Sequence, residues 1–370
     1  MAYSNPSYMS DQGTVVGPDG NAVTGSDQIN TAYVESFKAG FEQAFQQTES
    51  KLQPYFEQES QNEEFQYFDR IGVAEAMEED QTRYGDNPTS DISHDRRRIG
   101  LRDYELGKYI DEKDLKRVLT DPMNAYTQAL LASGKRKIDD IIIDKLFGAA
   151  YTGRSGGTEV TFSRAADTTR DTNITIGNLS KNDANPIVDT YDATTKKNGI
   201  EIVAGNTEGF SIGANYDETP DGSTTPLGLT LEKLKAARRT MLRLEAIGQD
   251  DVVNCFLTST QFNDLLGIEE IINSDFAVRK ALAEGSVTTF MGFRFIQTER
   301  LGLTTDNNGD ERRVIVATPK ALKMSVGTAL KGDVWRVPAK KNIPYIYFKR
   351  CAEASRMWGE VTGEIRCVEA

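Results

Sequence analysis

The clearest pattern of apolar and polar positions in the chain lies between residues 121 and 147, DPMNAYTQALLASGKRKIDDIIIDKLF. Met123, Tyr126, Leu130, Ile138, Ile142 and Leu146 recur at steps of three, four or eight residues and draw an apolar stripe along one face of a helix. Both ends are signed. Asp121 suits the N-cap, Pro122 the first helical position, and Gly148 the left-handed residue just past the end. At 1.5 Å per residue the predicted rod is about 40 Å long.

A second stripe, Val34, Phe37, Phe41 and Phe45, predicts a helix from Asn30 to Leu52, closed by Pro54. It follows a start rich in Ser, Gly, Asn and Asp that has no periodicity and is expected to be a flexible arm. The phenylalanines need a partner surface, either on their own domain or on a neighbouring subunit. Between residues 61 and 120, FQYFDRIGVAEAMEED and HDRRRIGLRDYELGKYIDEKDL flank the turn-forming RYGDNPTSD, which predicts two extended limbs joined by a loop. These limbs are strongly charged and thin in core residues, so they call for contact outside themselves.

After the rod, residues 151–228 are dominated by Thr, Gly, Asn and Asp, with the β-prone runs TEVTF, TNITI, IEIVA and FSIGA between turn signals. They read as an inserted β-rich subdomain that exits through DETPDGSTTPLG. From Thr230 the pattern tightens. LEKLKAARRTMLRLEA is an amphipathic helix with Leu231, Leu234, Ala237, Met241 and Leu244 inward; VVNCFLTS is a buried strand; TQFNDLLG opens a helix; FAVRKALAEG is a helix ended by Gly285. MGFRFIQTERL and RRVIVATPKALKMSVG read as strands around the loop TTDNNGDE, and Tyr345 and Tyr347 alternate with Ile346 and Phe348 in a closing sheet. This half reads as mixed α+β with its own core.

With 370 residues, 38% hydrophobic and 27% charged, the chain has a globular composition and length enough for two or three lobes. No apolar run approaches the roughly 20 residues of a membrane-spanning helix, and the polar start MAYSNPSYMSDQG lacks the core of a signal peptide, so a soluble protein without a membrane partner is expected. Cys255, Cys351 and Cys367 are scattered and odd in number, which implies neither a disulfide framework nor a zinc site; they read as buried free thiols. Charge is divided unevenly. Residues 1–95 hold 18 acids and 4 bases, residues 96–370 hold 38 acids and 39 bases, and residues 96–137 hold 11 bases, Arg96, Arg97 and Arg98 among them, against 6 acids. Either these are two solvated faces, or one copy's acidic residues 31–95 meet the basic residues 96–137 of another.

Candidate chemistry is sparse. His94, the only histidine, stands beside Asp95 and Arg96 without a serine or cysteine motif and reads as a surface residue. GKRK at 134–137 lacks the first glycine and the Ser or Thr of a phosphate loop and falls inside the predicted helix. Asp139, Asp140 and Asp144 have a spacing a metal site could use, but interleaved Lys135, Lys137 and Lys145 make a salt-bridged solvated or subunit-facing surface the expectation. DNNGDE at 306–311 has its glycine in the wrong place for a calcium loop and reads as a turn. An acidic chain with a sequence pI near 4.8, whose arginine cluster has no interleaved aromatic residues, is not expected to read nucleic-acid sequence. Arm, limb, rod and β-containing lobes without a reactive centre favour a self-assembling structural protein.

Specific segments carry a family resemblance. GLTLEKLKAARRTM, FLTSTQFNDLLG, NSDFAVRKALAEGSVTTFMGFRFIQTERL and EASRMWGEVTGEIRCVEA resemble the carboxyl half of the major capsid proteins of tailed bacteriophages, and GFRFIQTERL at 292–301 is the most telling of them. The likeness reaches back through RRRIGLRDYELGKYIDEKDLKRVLTDPMNAYTQALLASGKRKIDD and covers most of residues 60–370; residues 1–30 and 151–228 match least. That capsid fold is shared with encapsulins and the herpesvirus capsid floor domains.

The resemblance implies an α+β tailed-phage capsid fold: an N-terminal arm at 1–60, an extended loop at 61–120, a spine helix of the peripheral domain at 121–150, a β-rich insertion at 151–228, and an axial domain with the remaining peripheral strands at 229–370. It implies a structural protein, not an enzyme, that self-assembles as hexamers and pentamers into the icosahedral head shell and encloses double-stranded DNA without sequence specificity. Net negative charge suits such a container, whose wall should not grip DNA. No catalytic, cofactor-binding or metal residues come with the family; some members join subunits through a Lys–Asn isopeptide bond, and no such pair is identified here. Implied partners are other copies of itself, a scaffolding protein and a portal, with room for a decoration protein; because only about 60 residues precede the extended loop, the scaffold is expected to be a separate chain. The implied location is the virion shell, after assembly in the cytoplasm of the bacterial host. Rival readings are an encapsulin-like compartment, an enzyme with an unrecognised carboxylate site, and another virion component such as a tail or decoration protein.

Overall fold

The computed structural model describes residues 8–9, 15–16, 47–72, 92, 94–110, 123–162, 174–177, 200–203, 207–214, 216, 227–248, 250–268, 289–306 and 309–369. In chain order they form strands β1 (Tyr8–Met9), β2 (Val15–Val16), β3 (Glu57–Ser60), β4 (Phe65–Ile71), β5 (His94–Gly100) and β6 (Asp103–Tyr109), then helix α1 (Met123–Phe147). Strands β7 (Ala150–Thr152), β8 (Thr158–Phe162), β9 (Ile174–Gly177), β10 (Ile200–Val203), β11 (Thr207–Glu208) and β12 (Phe210–Ile212) lead to helix α2 (Leu231–Arg243). After β13 (Val253–Leu257) and helix α3 (Ser259–Leu266) come β14 (Thr289–Phe290), β15 (Phe293–Gln297), β16 (Leu303–Asp306), β17 (Gly309–Ala317), β18 (Leu322–Val337), β19 (Ile343–Arg356) and β20 (Thr362–Val368).

Helix α1 forms where its periodicity predicts, and its stripe divides between two cores. Ile138, Ile142 and Leu146, with Ile141, are buried in the main core, while Tyr126 and Leu130 pack on a small distal cluster of Ile110, Ile346 and Phe348. Asp121 and Pro122 lie outside the described residues. Gly148 does not take the expected left-handed conformation; it is not among the positive-φ glycines, and a Cβ there would come within 2.5 Å of the Asp144 carbonyl oxygen. Close approach, not handedness, requires this glycine.

Three larger sheets carry the rest. One runs β10-β9-β12-β20-β17-β13-β15-β14, with β16 paired to β17; a second runs β11-β8-β7-β5-β4; a third runs β3-β18-β19-β6. Strands β13 and β20 lie inside the first sheet, and β13 is buried along its length, as its unbroken apolar run requires. Long β19 changes character: its distal half alternates, burying Ile346 and Phe348 while Tyr345 and Tyr347 face outward, and its proximal residues Ala352–Arg356 are buried on both faces. Helix α2 is capped by Thr230, whose side chain accepts from the Lys233 amide at 3.3 Å, and buries Leu234, Ala237 and Met241; Leu231 is only half-buried.

Several expectations need correction. The helix expected over 30–52 does not reach its predicted end: residues 47–52 are irregular because Asp139 accepts from the Leu52 and Lys51 amides and from the Gln47 and Ser50 side chains; residues 30–46 lie outside the described residues. The second limb is not one piece. β5 pairs with β4 while β6 crosses to β19, so the chain changes sheets at Leu101 and Arg102. The described strands of residues 151–228 are shared between two sheets, and much of the expected insertion lies outside the described residues. The core of the carboxyl half is not its own, since Leu52, Phe56, Ile138, Leu146 and Phe210 belong to the same apolar cluster. Most of the loop expected at 304–311 is strand: Asp306 pairs with Gly309, and Glu311 is buried in β17. Expected helix 276–285 lies outside the described residues.

Candidate assembly surfaces

The groups considered for chemistry are dispersed. His94 is exposed at the start of β5. Within GKRK, Gly134 lies against Leu330, Lys135 is 3.8 Å from Glu49, Arg136 donates to the Gln47 carbonyl and Lys137 lies over the Tyr104 ring. Asp139 is buried and holds the 47–52 turn, so it is neither solvated nor lysine-paired, while Asp140 accepts both arms of the Arg300 guanidinium at 2.6–2.8 Å. Among the described residues no group of three or more His, Cys, Asp or Glu is arranged to hold a metal ion. Cys255 and Cys367 are buried free thiols and Cys351 is half-buried; burial pushes the Cys367 thiol up to about 11.

The triplet Arg96–Arg98 is split by the two-residue period of β5. Arg97 points inward and is fully buried, while Arg96 and Arg98 lie on the outer face. There the cross-strand register brings aromatic residues between the arginines: Arg98 lies over Phe65 and Tyr151 at 5.1 and 5.3 Å, and Arg96 lies over Tyr67 at 5.5 Å and pairs with Asp69 at 2.7 Å. Sequence reading missed this interleaving because the partners come from other strands. Phe65, Tyr67 and Ile71 leave this face strongly apolar as well as basic, with Ile71 61% exposed. The opposite face packs Phe68 and Ile99 on Met357.

Beneath this hairpin sits a cluster of charges. Arg70 of β4, Arg97 of β5 and Arg356 at the end of β19 converge on Glu208 of β11: Arg97 donates to it, and Arg70 and Arg356 lie 3.7 and 3.6 Å away. Arg70 also pairs with Asp95, donates to the Met357 carbonyl and covers the Trp358 ring at 5.0 Å. Arg356 donates to the carbonyls of Leu146, Gly148 and Val160 at 2.8, 2.9 and 3.1 Å, setting a cation at the C-terminal end of α1, where the helix dipole favours it. Burial lowers the Arg356 pKa to about 10 against the opposing pull of Glu208, and it lowers that of Arg97 in the same way. Burial would raise the Asp95 carboxyl, but hydrogen bonds from Thr152 and Arg70, with the Arg70 charge, hold it at about 2.

A second projecting face lies near the tip of the β18–β19 hairpin. Tyr109 stacks on Tyr345 at 4.3 Å, and Trp335 packs against Tyr345 and Tyr347, both at 5.3 Å. Gly107 makes room for them, because a Cβ there would fall 2.1 Å from the Tyr345 hydroxyl. Lys340 caps the Tyr109 ring at 3.9 Å, and residues 331–349 carry Lys331, Arg336, Lys340, Lys341 and Lys349 against the single acid Asp333. Exposed Trp and Tyr beside cations are the composition of protein–protein hot spots.

The sequence matches a family model described as phage capsid protein over residues 29–182 and 182–369. No protein with curated annotation matches it. In fold, the chain is similar to the capsid structure of Cyanophage P-SCSP1u, at 13% identity with 98% of this chain and 99% of that chain covered and a TM-score of 0.60. It is similar to the capsid of Cyanophage Pam1, at 14% identity, coverage of 92% and 98% and a TM-score of 0.61, and to that of Ralstonia phage GP4, at 11% identity, coverage of 91% and 96% and a TM-score of 0.57.

Proposed function

We infer the function from the premise that this chain belongs to the phage capsid protein family, whose model spans almost the whole of it. It is a major capsid protein: a structural protein, located in the virion, whose copies assemble the shell of a phage head. The observation that carries this reading is the family match over residues 29–369. The two exposed aromatic and basic faces support it, since they give a single copy surface suited to neighbours.

The finer assignment extends the same reading. Residues 1–60 act as the arm, 61–120 as the extended loop, 121–150 as the spine, and 229–370 as the axial domain with the remaining peripheral strands, while 151–228 brace the base of the extended loop. Copies group as hexamers and pentamers, form an icosahedral procapsid on a scaffolding protein around a portal in the host cytoplasm, and enclose double-stranded DNA without reading its sequence; a decoration protein can bind outside. Copies meet through the hairpin faces. The earlier pairing of residues 31–95 with 96–137 is narrowed by the burial of Arg97 and the engagement of Arg96 with Asp69 in its own chain, which leaves the tip of β18–β19 as the stronger basic partner for a neighbour's acidic limb.

Negative-stain imaging of the protein co-expressed with the scaffolding protein of its own phage tests the reading: closed shells of uniform diameter are expected, and a monodisperse monomer at high concentration would overturn it.

A further inference from the structure

We propose that Glu208 is the positioning residue for the β4–β5 hairpin: by gathering Arg70, Arg97 and Arg356 it fixes the angle at which that hairpin leaves the body, and through it the curvature of the shell. This rests on the capsid reading above.

The apolar anchor of the hairpin is small. β5 pairs with the body's β7 at Arg97 with Thr152 and Arg98 with Tyr151, the Thr152 hydroxyl hydrogen-bonds Asp95 and the Arg96 carbonyl, Lys323 lies over the Phe68 ring, and the apolar cluster beneath is Phe68, Ile99 and Met357 with Trp358 against it. Three guanidiniums from three elements meet there, two of them fully buried, and among the described residues the carboxylates that answer them are Glu208 and Asp95. Asp95 pairs with Arg70 and is partly exposed, so Glu208 is the carboxylate that ties both hairpin strands to β19 and to the end of α1.

Its own direction is set by the backbone around it. Gly209 has φ +88°, and a Cβ there would meet the Phe162 ring at 2.3 Å; a Cβ on Gly359 would come within 2.7 Å of the Glu208 Cβ. Two glycines thus let β11 lie tight between β8 and the turn before β20, with its carboxylate aimed at the arginines. Removing the charge leaves buried cations underpaired, and they regain solvation by letting the hairpin base open. Residues 151–228 thereby acquire a role: they deliver the counter-charge.

The test compares wild type, Glu208→Gln, the charge-neutralising control Glu49→Gln at the surface pair with Lys135, and the space-filling double variant Arg97→Met/Glu208→Met. Two readouts are used: hydrogen exchange of the unassembled subunit and the diameter distribution of shells. Both Glu208 variants should exchange about tenfold or more faster over residues 65–71 and 94–100. They should retain wild-type exchange over 253–257 and 362–368, and build shells of broadened diameter or open sheets; Glu49→Gln should match wild type. Wild-type exchange at the hairpin together with uniform shells in either Glu208 variant would overturn the proposal, and should Glu208→Gln fail to fold, the double variant decides. Absence of shells from wild type would count against the capsid reading, while the exchange comparison would still judge Glu208.

Discussion

Two hairpins project from this subunit, and they are fastened to it by different chemistry. β18–β19 is held by a long ladder and by Ile346 and Phe348 packed with Ile110 against Tyr126, Leu130 and Leu330, so its anchor is apolar and spread along α1. β4–β5 has a small apolar contact of Phe68 and Ile99 on Met357 and is held chiefly by buried guanidiniums around Glu208. Apolar burial supplies net stability, roughly 1.5–3 kcal/mol for each fully buried large side chain, and has no preferred direction. A buried ion cluster supplies little net stability because desolvation offsets attraction, yet it tolerates few geometries. The first hairpin is therefore fixed by how much it buries and the second by where it points, a sensible division if one is a fixed ledge and the other must lie at a set angle on a neighbour.

Breaking α1, to which both fastenings refer, should have the largest effect. Ile138 is 1% exposed where α1 enters the main core, and Ile138→Pro removes a helix hydrogen bond, clashes with the preceding turn and empties a core position, costing about 3 kcal/mol or more. Loss of helical circular dichroism and of shells is the expected result; normal shells would mean that α1 is not the spine. Next comes Phe348→Ala, expected to cost about 3 kcal/mol in urea unfolding, with exchange rising over 343–349 while residues 65–71 stay unchanged. If both hairpins loosened together, the distinction between them would fail.

Helix α1 was legible because its periodicity and length are local properties, and so was the alternation at 345–348. Runs such as TEVTF and FSIGA were legible as strands but not as members of particular sheets, since β8 pairs into one sheet and β12 into another for reasons of packing far along the chain. The mixed α+β character of the carboxyl half came from its pattern, and the capsid fold from resemblance to a family. What stayed hidden were contacts across long separations. Arg97 sat in an apparently solvent-facing RRR, its partner 111 positions away at Glu208 in a segment read as a turn-rich insertion. Lys233 lies in the amphipathic run LEKLKAARRTMLRLEA, yet it is fully buried, its ammonium 2.8–2.9 Å from the carbonyl oxygens of Ala214, Leu227, Gly228 and Arg366, and burial pushes its pKa down. No local signal marks Lys233 as buried, whereas the alternation of a strand such as β5 sets Arg97 on the opposite side from Arg96 and Arg98.

Acid should separate the two fastenings with a smaller effect. The Asp95 carboxyl is held at about 2, below its ordinary 3.8, so its contribution is complete above the ordinary value and is lost as pH falls through the folded one. Between about pH 4 and pH 2 the β4–β5 hairpin should loosen, after allowance for the intrinsic exchange rate, while 343–349 keep their protection. Equal loosening of both would place the acid-sensitive group elsewhere.

The smallest effect is expected from Arg97→Met alone, and it bears most directly on why Glu208 matters. The cluster holds three cations and two carboxylates, so removing one cation improves the balance, whereas removing Glu208 worsens it. Methionine fills much of the arginine volume without asking for solvation, and removing one partner of a buried ion pair is costly when it strands the other charge, whereas here two guanidiniums remain beside the carboxylate. Glu208 would keep Arg70 and Arg356, the latter tethered to three carbonyls and able to hold the carboxylate in place. Arg97→Met should therefore shift the urea midpoint by the equivalent of about 1 kcal/mol or less and leave shell diameter uniform. A large loss of stability in this variant, matching that of Glu208→Gln, would mean that the cluster acts as a set of separate pairs and not as three cations sharing one carboxylate.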